Sequence, residues 1–168
     1  MKDAVWLFGY GSLIWRPDFP YLDARPAYIE GWTRRFWQGS HDHRGTESDP
    51  GRVVTLVEAP GDRCYGRAYR IEPDVFEHLD HREKNGYERQ DIEVFFENDR
   101  ASGVVYIGAP DNFAFLGEAP LEEIAAHIVR CAGPSGTNVD YVRKLAQALR
   151  QLDISDPHVF ELERLINQ

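Results

Sequence analysis

Four stretches of this chain hold residues whose types and spacing suit chemistry. The first is "VWLFGYGSLIW", Val5 to Trp15, where Gly9, Tyr10, Gly11 and Ser12 interrupt an apolar run that otherwise reads as a strand. Glycine weakens a strand interior, and successive N–H groups in a glycine turn form a concavity that accepts an anion. A phosphate loop is excluded because no G-K-[ST] follows, and G-x-G-x-x-G fails at Ile14, where the third glycine belongs. A carboxylate or an oxyanion remains as ligand; the competing reading is a tight β-turn with packing glycines. The second stretch, "LDHREKNGYE", Leu79 to Glu88, places Glu83 between Arg82 and Lys84 just before an Asn85-Gly86 turn. A carboxyl group there suits proton transfer, although a solvated charge run has the same composition, and position alone does not raise Glu83 above Asp80 or Glu88.

The third stretch, "RRFWQGSHDHRG", Arg34 to Gly45, surrounds three larger side chains with cations and suits the polar wall of a pocket for a small anion. Its His41-x-His43 pair lacks a third histidine or a nearby cysteine, so a surface loop is favoured over a metal site. The fourth, "AGPSGTN", Ala132 to Asn138, joins two helices and brings Ser135 and Asn138 within possible reach of a cleft.

The elements that must position these residues fall into two halves. Short segments rich in Val, Phe, Tyr and Ile predict strands at 4–8, within 28–38, and at 52–58, 64–71, 91–96 and 103–107. Turn signals such as "PGD" at Pro60 to Asp62 separate them, so the pairing is expected to be antiparallel. A short helix from Pro73 to about Asp80 turns Val75, Phe76 and Leu79 inward. The last third is helical: Leu121, Ile124, Ala125, Ile128 and Val129 share one face, with Pro120 at the start and Gly133-Pro134 as the stop. A second helix starts at Asn138, or at Thr137 with Asp140 as a capping box, and a third at Asp156 with Pro157 behind it. The order predicts an α+β fold around a small mixed or barrel-like sheet, one domain over 1–168.

Composition narrows the function. With 28 acidic against 19 basic residues and a formal charge of −9, the chain lacks the basic footprint that nucleic acid or an anionic membrane demands. Cys64 and Cys131 stand far apart, in no C-x-x-C arrangement, which predicts free thiols in a reducing cytoplasm. No apolar run reaches the roughly 20 residues that span a bilayer, and the N-terminal run meets Arg16-Pro17-Asp18 without a signal-peptidase site, so it reads as mature protein.

Together, "FGYGSLIW", "RRFWQGSHDHRG", "GRVVTLVE", "REKNGY", "YIG" and "AGPSGTN", in this order, resemble the ChaC family of γ-glutamylcyclotransferases, in its glutathione-specific branch. The resemblance runs from about Trp6 through the C-terminal helix. It implies the γ-glutamylcyclotransferase-like fold and conversion of glutathione into 5-oxoproline and cysteinylglycine, with no metal, no cofactor and no obligate protein partner. It also implies that Tyr10, Gly11, Ser12 and Leu13, with Gly9 and Ile14 at the edges, cradle the γ-glutamyl group, and that Glu83 is the general acid/base. Two positions depart from the family pattern: Asn85 stands where a glycine is usual, and Thr137 where an arginine is frequent. Two rivals remain. One is the same cyclisation on other γ-glutamyl amino acids or amines; the other is a non-catalytic module that binds γ-glutamyl compounds. The intact Glu83 speaks against the second, since a binder would carry the desolvation cost of a buried acid without using it.

Overall fold

The computed structural model describes residues 4–82 and 86–167. Five strands, β1 (Val5–Gly9), β2 (Asp23–Ser40), β3 (Gly51–Ile71), β4 (Glu88–Phe95) and β5 (Arg100–Ile107), close into a barrel in the order β1-β3-β2-β4-β5. All the pairings are antiparallel except β1 with β5, which runs parallel and closes the ring. The sheet is therefore mixed as well as barrel-like, and the expectation of purely antiparallel pairing is corrected at the seam.

Two strands are much longer than their sequence suggests. "PGD" was expected to divide 52–58 from 64–71, yet β3 runs through it. The register with β2 explains how: Glu30 pairs with Arg63 and Trp32 with Glu58, so β3 advances five residues while β2 advances two. Gly31 (φ +85) and Gly61 (φ +90) absorb the irregularity in a conformation that other residues rarely adopt. The turn signal is spent on a bulge rather than a break.

Period-two alternation sends neighbouring residues to different apolar clusters. Leu7, Tyr69, Ile71, Val104 and Tyr106 pack with Phe76 and Leu79 of helix α1 (Val75–Arg82). Phe8, Ala68, Val105 and Ile107 join the larger cluster shared with α2 (Leu121–Val129), α3 (Asn138–Gln151) and α4 (Pro157–Ile166). Burying each large apolar side chain is worth about 1.5–3 kcal/mol, so both clusters hold the barrel strongly.

The helix starts match their local signals. Thr137 accepts the Asp140 N–H at 3.1 Å and Asp156 accepts the Val159 N–H at 3.2 Å, with Pro157 opening α4. The end of α2 differs from expectation: it stops at Val129, which is 55% exposed, and Ala132–Gly133 pairs with Gly136–Thr137 as a two-residue hairpin (β6 and β7). Among the described residues no helix is long and apolar enough to cross a membrane.

Candidate active site

At the end of β1 the chain leaves the ladder at Gly9 and turns at Gly11 (φ −130, ψ −126) into one turn of 3-10 helix, Ser12–Ile14. The Ile14 N–H donates to the Gly11 carbonyl at 3.0 Å and the Arg16 N–H to that of Ser12 at 2.8 Å. The amides of Ser12 and Leu13 precede the first intrahelical bond, so the turn itself does not use them. Arg34, buried in β2, fixes the geometry from behind: its Nε donates to the Tyr10 carbonyl at 2.9 Å, and its Nη1 meets Asp156 at 3.2 Å. The Tyr10 hydroxyl donates to the Tyr106 carbonyl at 2.5 Å.

A two-lobed cleft opens beside this turn. The smaller lobe, about 60 Å³, is lined by Tyr10, Gly11, Ser12 and Leu13 together with Phe8, Val54 and three tyrosines, Tyr87, Tyr106 and Tyr141. The larger, about 180 Å³, shares Ser12, Tyr87 and Tyr141 and adds Trp15, Arg16, Asp18, Arg82, Ser135 and most of the segment from Gly39 to Arg44. Gly9 and Ile14 are not among the lining residues. A Cβ at Gly9 would lie 2.8 Å from that of Leu13, and Ile14 is buried in the larger core cluster, so these two shape the turn from beneath. Gly11 is also tightly packed: a Cβ there would lie 2.8 Å from Cγ2 of Val54 and 3.1 Å from the Tyr141 hydroxyl oxygen.

Glu83 lies outside the described residues, as do Lys84 and Asn85. The chain on either side of it is placed: Arg82 ends α1, and Arg82 and Tyr87 both line the cleft. Gly86 has φ +98, as the expected turn requires, and a Cβ there would strike the Asn112 side chain. That side chain is paired with Gln38 by two 3.0 Å hydrogen bonds.

The cationic stretch from Arg34 divides in two. Its first half is structural: Arg34 is buried as described, and Phe36 is core. Its second half lines the larger lobe. Arg44 donates from Nη1 to the Thr137 carbonyl at 3.0 Å and to Asp140 at 3.2 Å. Partial burial pulls Asp140 upward, but Lys144 and Arg44 outweigh it and hold its carboxyl below the usual range. Nδ1 of His43 meets Ser135 Oγ at 3.0 Å. Asn138, by contrast, is fully buried and bonds the backbone of Arg52 in both directions, so it serves packing and not the cleft. Thr137 caps α3.

Both thiols are buried and free, and neither lines the cleft. Burial pushes both Cys64 and Cys131 above the ordinary thiol range. The group of three potential metal ligands among the described residues is Asp49, His127 and Cys131, with ligand atoms within 4.8 Å of one another, and not the His41-x-His43 pair. His127 Nε2 lies 2.7 Å from the Pro50 carbonyl, and Asp49 pairs with Arg130 at 3.5 Å, so those groups are already engaged. Three lining residues that sequence reasoning did not single out for the site, Arg16, Val54 and Tyr141, come from three different neighbourhoods. Tyr141 lies one turn into α3, where nothing but the fold points it at the barrel mouth.

Residues 5–168 match the family model described as ChaC-like protein. The chain is 47% identical to "Gamma-glutamylcyclotransferase 2-3" of Arabidopsis thaliana, over 95% of this chain and 86% of that one. It is 40% identical to "Glutathione-specific gamma-glutamylcyclotransferase 1" of Danio rerio, over 96% and 88%. The crystal structure of the selenomethionine-labelled yeast γ-glutamyl cyclotransferase specific to glutathione superposes with a TM-score of 0.90 at 33% identity, covering 99% of this chain and 96% of that one. The barrel and its four helices are thus a γ-glutamylcyclotransferase fold, and the chain belongs to the ChaC-like family.

Proposed function

We propose that this protein cleaves glutathione by cyclising its γ-glutamyl group, releasing 5-oxoproline and cysteinylglycine, in the cytoplasm. One observation carries the reading. Stretches far apart in sequence line one cleft: the Tyr10–Leu13 turn, the residues bracketing Glu83, the segment around His43 and Arg44, and Ser135. The names of the Danio rerio and yeast relatives support glutathione as the substrate. Buried, unpaired thiols suit a reducing compartment.

In the reaction, the substrate supplies its own nucleophile. The α-ammonium gives a proton to the Glu83 carboxylate, and the freed amine attacks the γ-carbonyl carbon. The tetrahedral centre collapses with rupture of the bond to the cysteinyl nitrogen, which takes the proton back from Glu83; the ring nitrogen sheds its second proton as the lactam forms, and the released amine takes up one more to become an ammonium. No water is consumed, and the products account for every atom. No protein nucleophile is required, which agrees with two thiols that stand away from the cleft and are held protonated by burial. The amides of Ser12 and Leu13 are suited to the substrate's negative oxygens. The aromatic smaller lobe is suited to holding the flexible γ-glutamyl chain in its ring-closing conformer, where positioning lowers the barrier.

The test is incubation of the purified protein with glutathione, γ-glutamylalanine and oxidised glutathione, with mass-spectrometric detection of 5-oxoproline. Product from reduced glutathione is expected. Equal product from γ-glutamylalanine would move the assignment to general γ-glutamyl cyclisation. Tight binding of glutathione without any 5-oxoproline would leave a binding module.

A further inference from the structure

Glutathione carries two carboxylates, and the cradle addresses the one on the γ-glutamyl end. The other, on glycine, is at most about 7 Å beyond the scissile bond, the reach of two extended residues. It must be met in an acidic protein by a local cation. Four potential cations border the larger lobe, and three of them are occupied or open to water. Arg16 is 58% exposed and sits 3.7 Å from Asp18. Arg44 is drawn to Thr137 and Asp140, and His43 is held by Ser135. Arg82 differs: its Nη1 is shielded from solvent and has no acceptor among the described residues. A guanidinium N–H removed from water without an acceptor is costly, and buried donors are otherwise nearly always met. Arg82 lines the larger lobe, and it is not among the residues around the Tyr10–Leu13 turn that line the smaller one.

We propose that Arg82 receives the glycine carboxylate of glutathione and is the residue that selects a leaving group ending in a carboxylate. This rests on the cyclisation proposed above. It assigns the larger lobe to cysteinylglycine and places the selecting cation next in sequence to the acid/base residue. Recognition of the leaving group and proton transfer to its nitrogen would then fall to consecutive residues of the chain.

The experiment compares glutathione with its analogue in which the glycine carboxylate is a primary amide, using wild type, Arg82→Met and Arg82→Lys. Turnover is read as 5-oxoproline and binding by titration calorimetry. Wild type should prefer the acid about 10- to 100-fold in kcat/KM, the range for a charged hydrogen bond out of water. The preference should reside mainly in KM, collapse towards unity in Arg82→Met and return in part with lysine. Three results overturn the proposal: wild type that treats acid and amide alike, Arg82→Met that keeps the preference, or Arg82→Met that loses equally on both substrates. The last would place Arg82 at the α-carboxylate or in support of Glu83. If wild type yields no 5-oxoproline from either compound, cyclisation itself fails, while calorimetry with the acid and the amide still decides Arg82. Thermal melts exclude an unfolded variant, and Arg82→Lys keeps the test alive if Arg82→Met does not fold.

Discussion

Gly11→Ala asks whether the glycine turn is open for the ligand or closed by the protein. The backbone at Gly11 has negative φ, so alanine is not barred by left-handed strain. Contact decides instead. The new methyl would lie 2.8 Å from Cγ2 of Val54, which real Cβ atoms essentially never tolerate, and 3.1 Å from the Tyr141 hydroxyl oxygen. Val54 is 2% exposed and β-branched, so its rotamer has little room to yield. Overpacking of this kind costs about 1–3 kcal/mol. At this chain length each kcal/mol moves Tm by about 2–4 °C, so a fall of about 2–12 °C is expected. Val54 and Tyr141 also line the smaller lobe, so relief of the clash deforms the site proposed for the γ-glutamyl group. Stability and affinity should therefore fall together. Thermal melts beside calorimetric titration with 5-oxoproline read both. A melt within about 1 °C of wild type would refute the packing argument, and normal binding at a lowered Tm would remove the turn from the substrate site.

Glu83→Gln should lower turnover about 10²- to 10⁴-fold with an unchanged melt, because the amide keeps the shape but cannot shuttle a proton; Glu88→Gln, on the exposed face of β4, should be nearly silent, and comparable rates for the two variants would remove Glu83 from its role. Activity should survive dialysis against EDTA, and a loss restored by zinc would direct attention to Asp49, His127 and Cys131. His158 is held down to about 4 by burial and then by the charge of Arg35. Between about 6.5 and 4 the unfolded chain therefore binds a proton that the folded chain does not, and stability is lost as pH falls through that window, by up to about 3 kcal/mol. Urea melts at pH 5 and pH 7.5 should show about 2 kcal/mol of that difference in wild type and lose most of it in His158→Gln.

What was legible in the sequence was local. Thr137 and Asp156 were readable as caps because each bonds an amide three residues ahead. The 3.6-residue spacing of Val142, Leu145, Ala146 and Leu149 gave the buried face of α3. "PGD" misled because turn chemistry does not say whether the partner strand can absorb the extra residues, and Gly31 across the ladder does so. Val129 continued the apolar spacing but fell in the last turn, beyond the body that α2 covers. At the site, the turn and Arg82 were visible as motifs. That Gly11 packs on Val54 and Tyr141 was not, since it depends on partners 43 and 130 positions away along the chain.

The stretch from Arg34 to Gly45 shows why cations in an acidic protein cannot be assigned from composition. Between Arg35 and Gln38 the β2–β3 register slips, and the backbone of Phe36 drops out of the ladder. Its N–H is taken by Nε2 of His158 at 3.1 Å and its carbonyl by Nη1 of Arg52 at 2.9 Å. Burial lowers the pKa of Arg52, a cost offset by the carbonyls of Phe36 and Gly117 that would otherwise be unmet. The bulge re-aims β2: Arg34 before it is buried, and most of the segment from Gly39 to Arg44 lines the larger lobe. Arg34, before the slip, directs its charge to the Tyr10 carbonyl and Asp156, linking the Tyr10–Leu13 turn to the cap of α4. Removing one partner of such a buried pair costs about 3–5 kcal/mol. The helices thus bear on the position of the turn through a guanidinium that does not line the cleft, and of the four cations that border the larger lobe the one proposed for substrate is Arg82, whose Nη1 has no acceptor among the described residues.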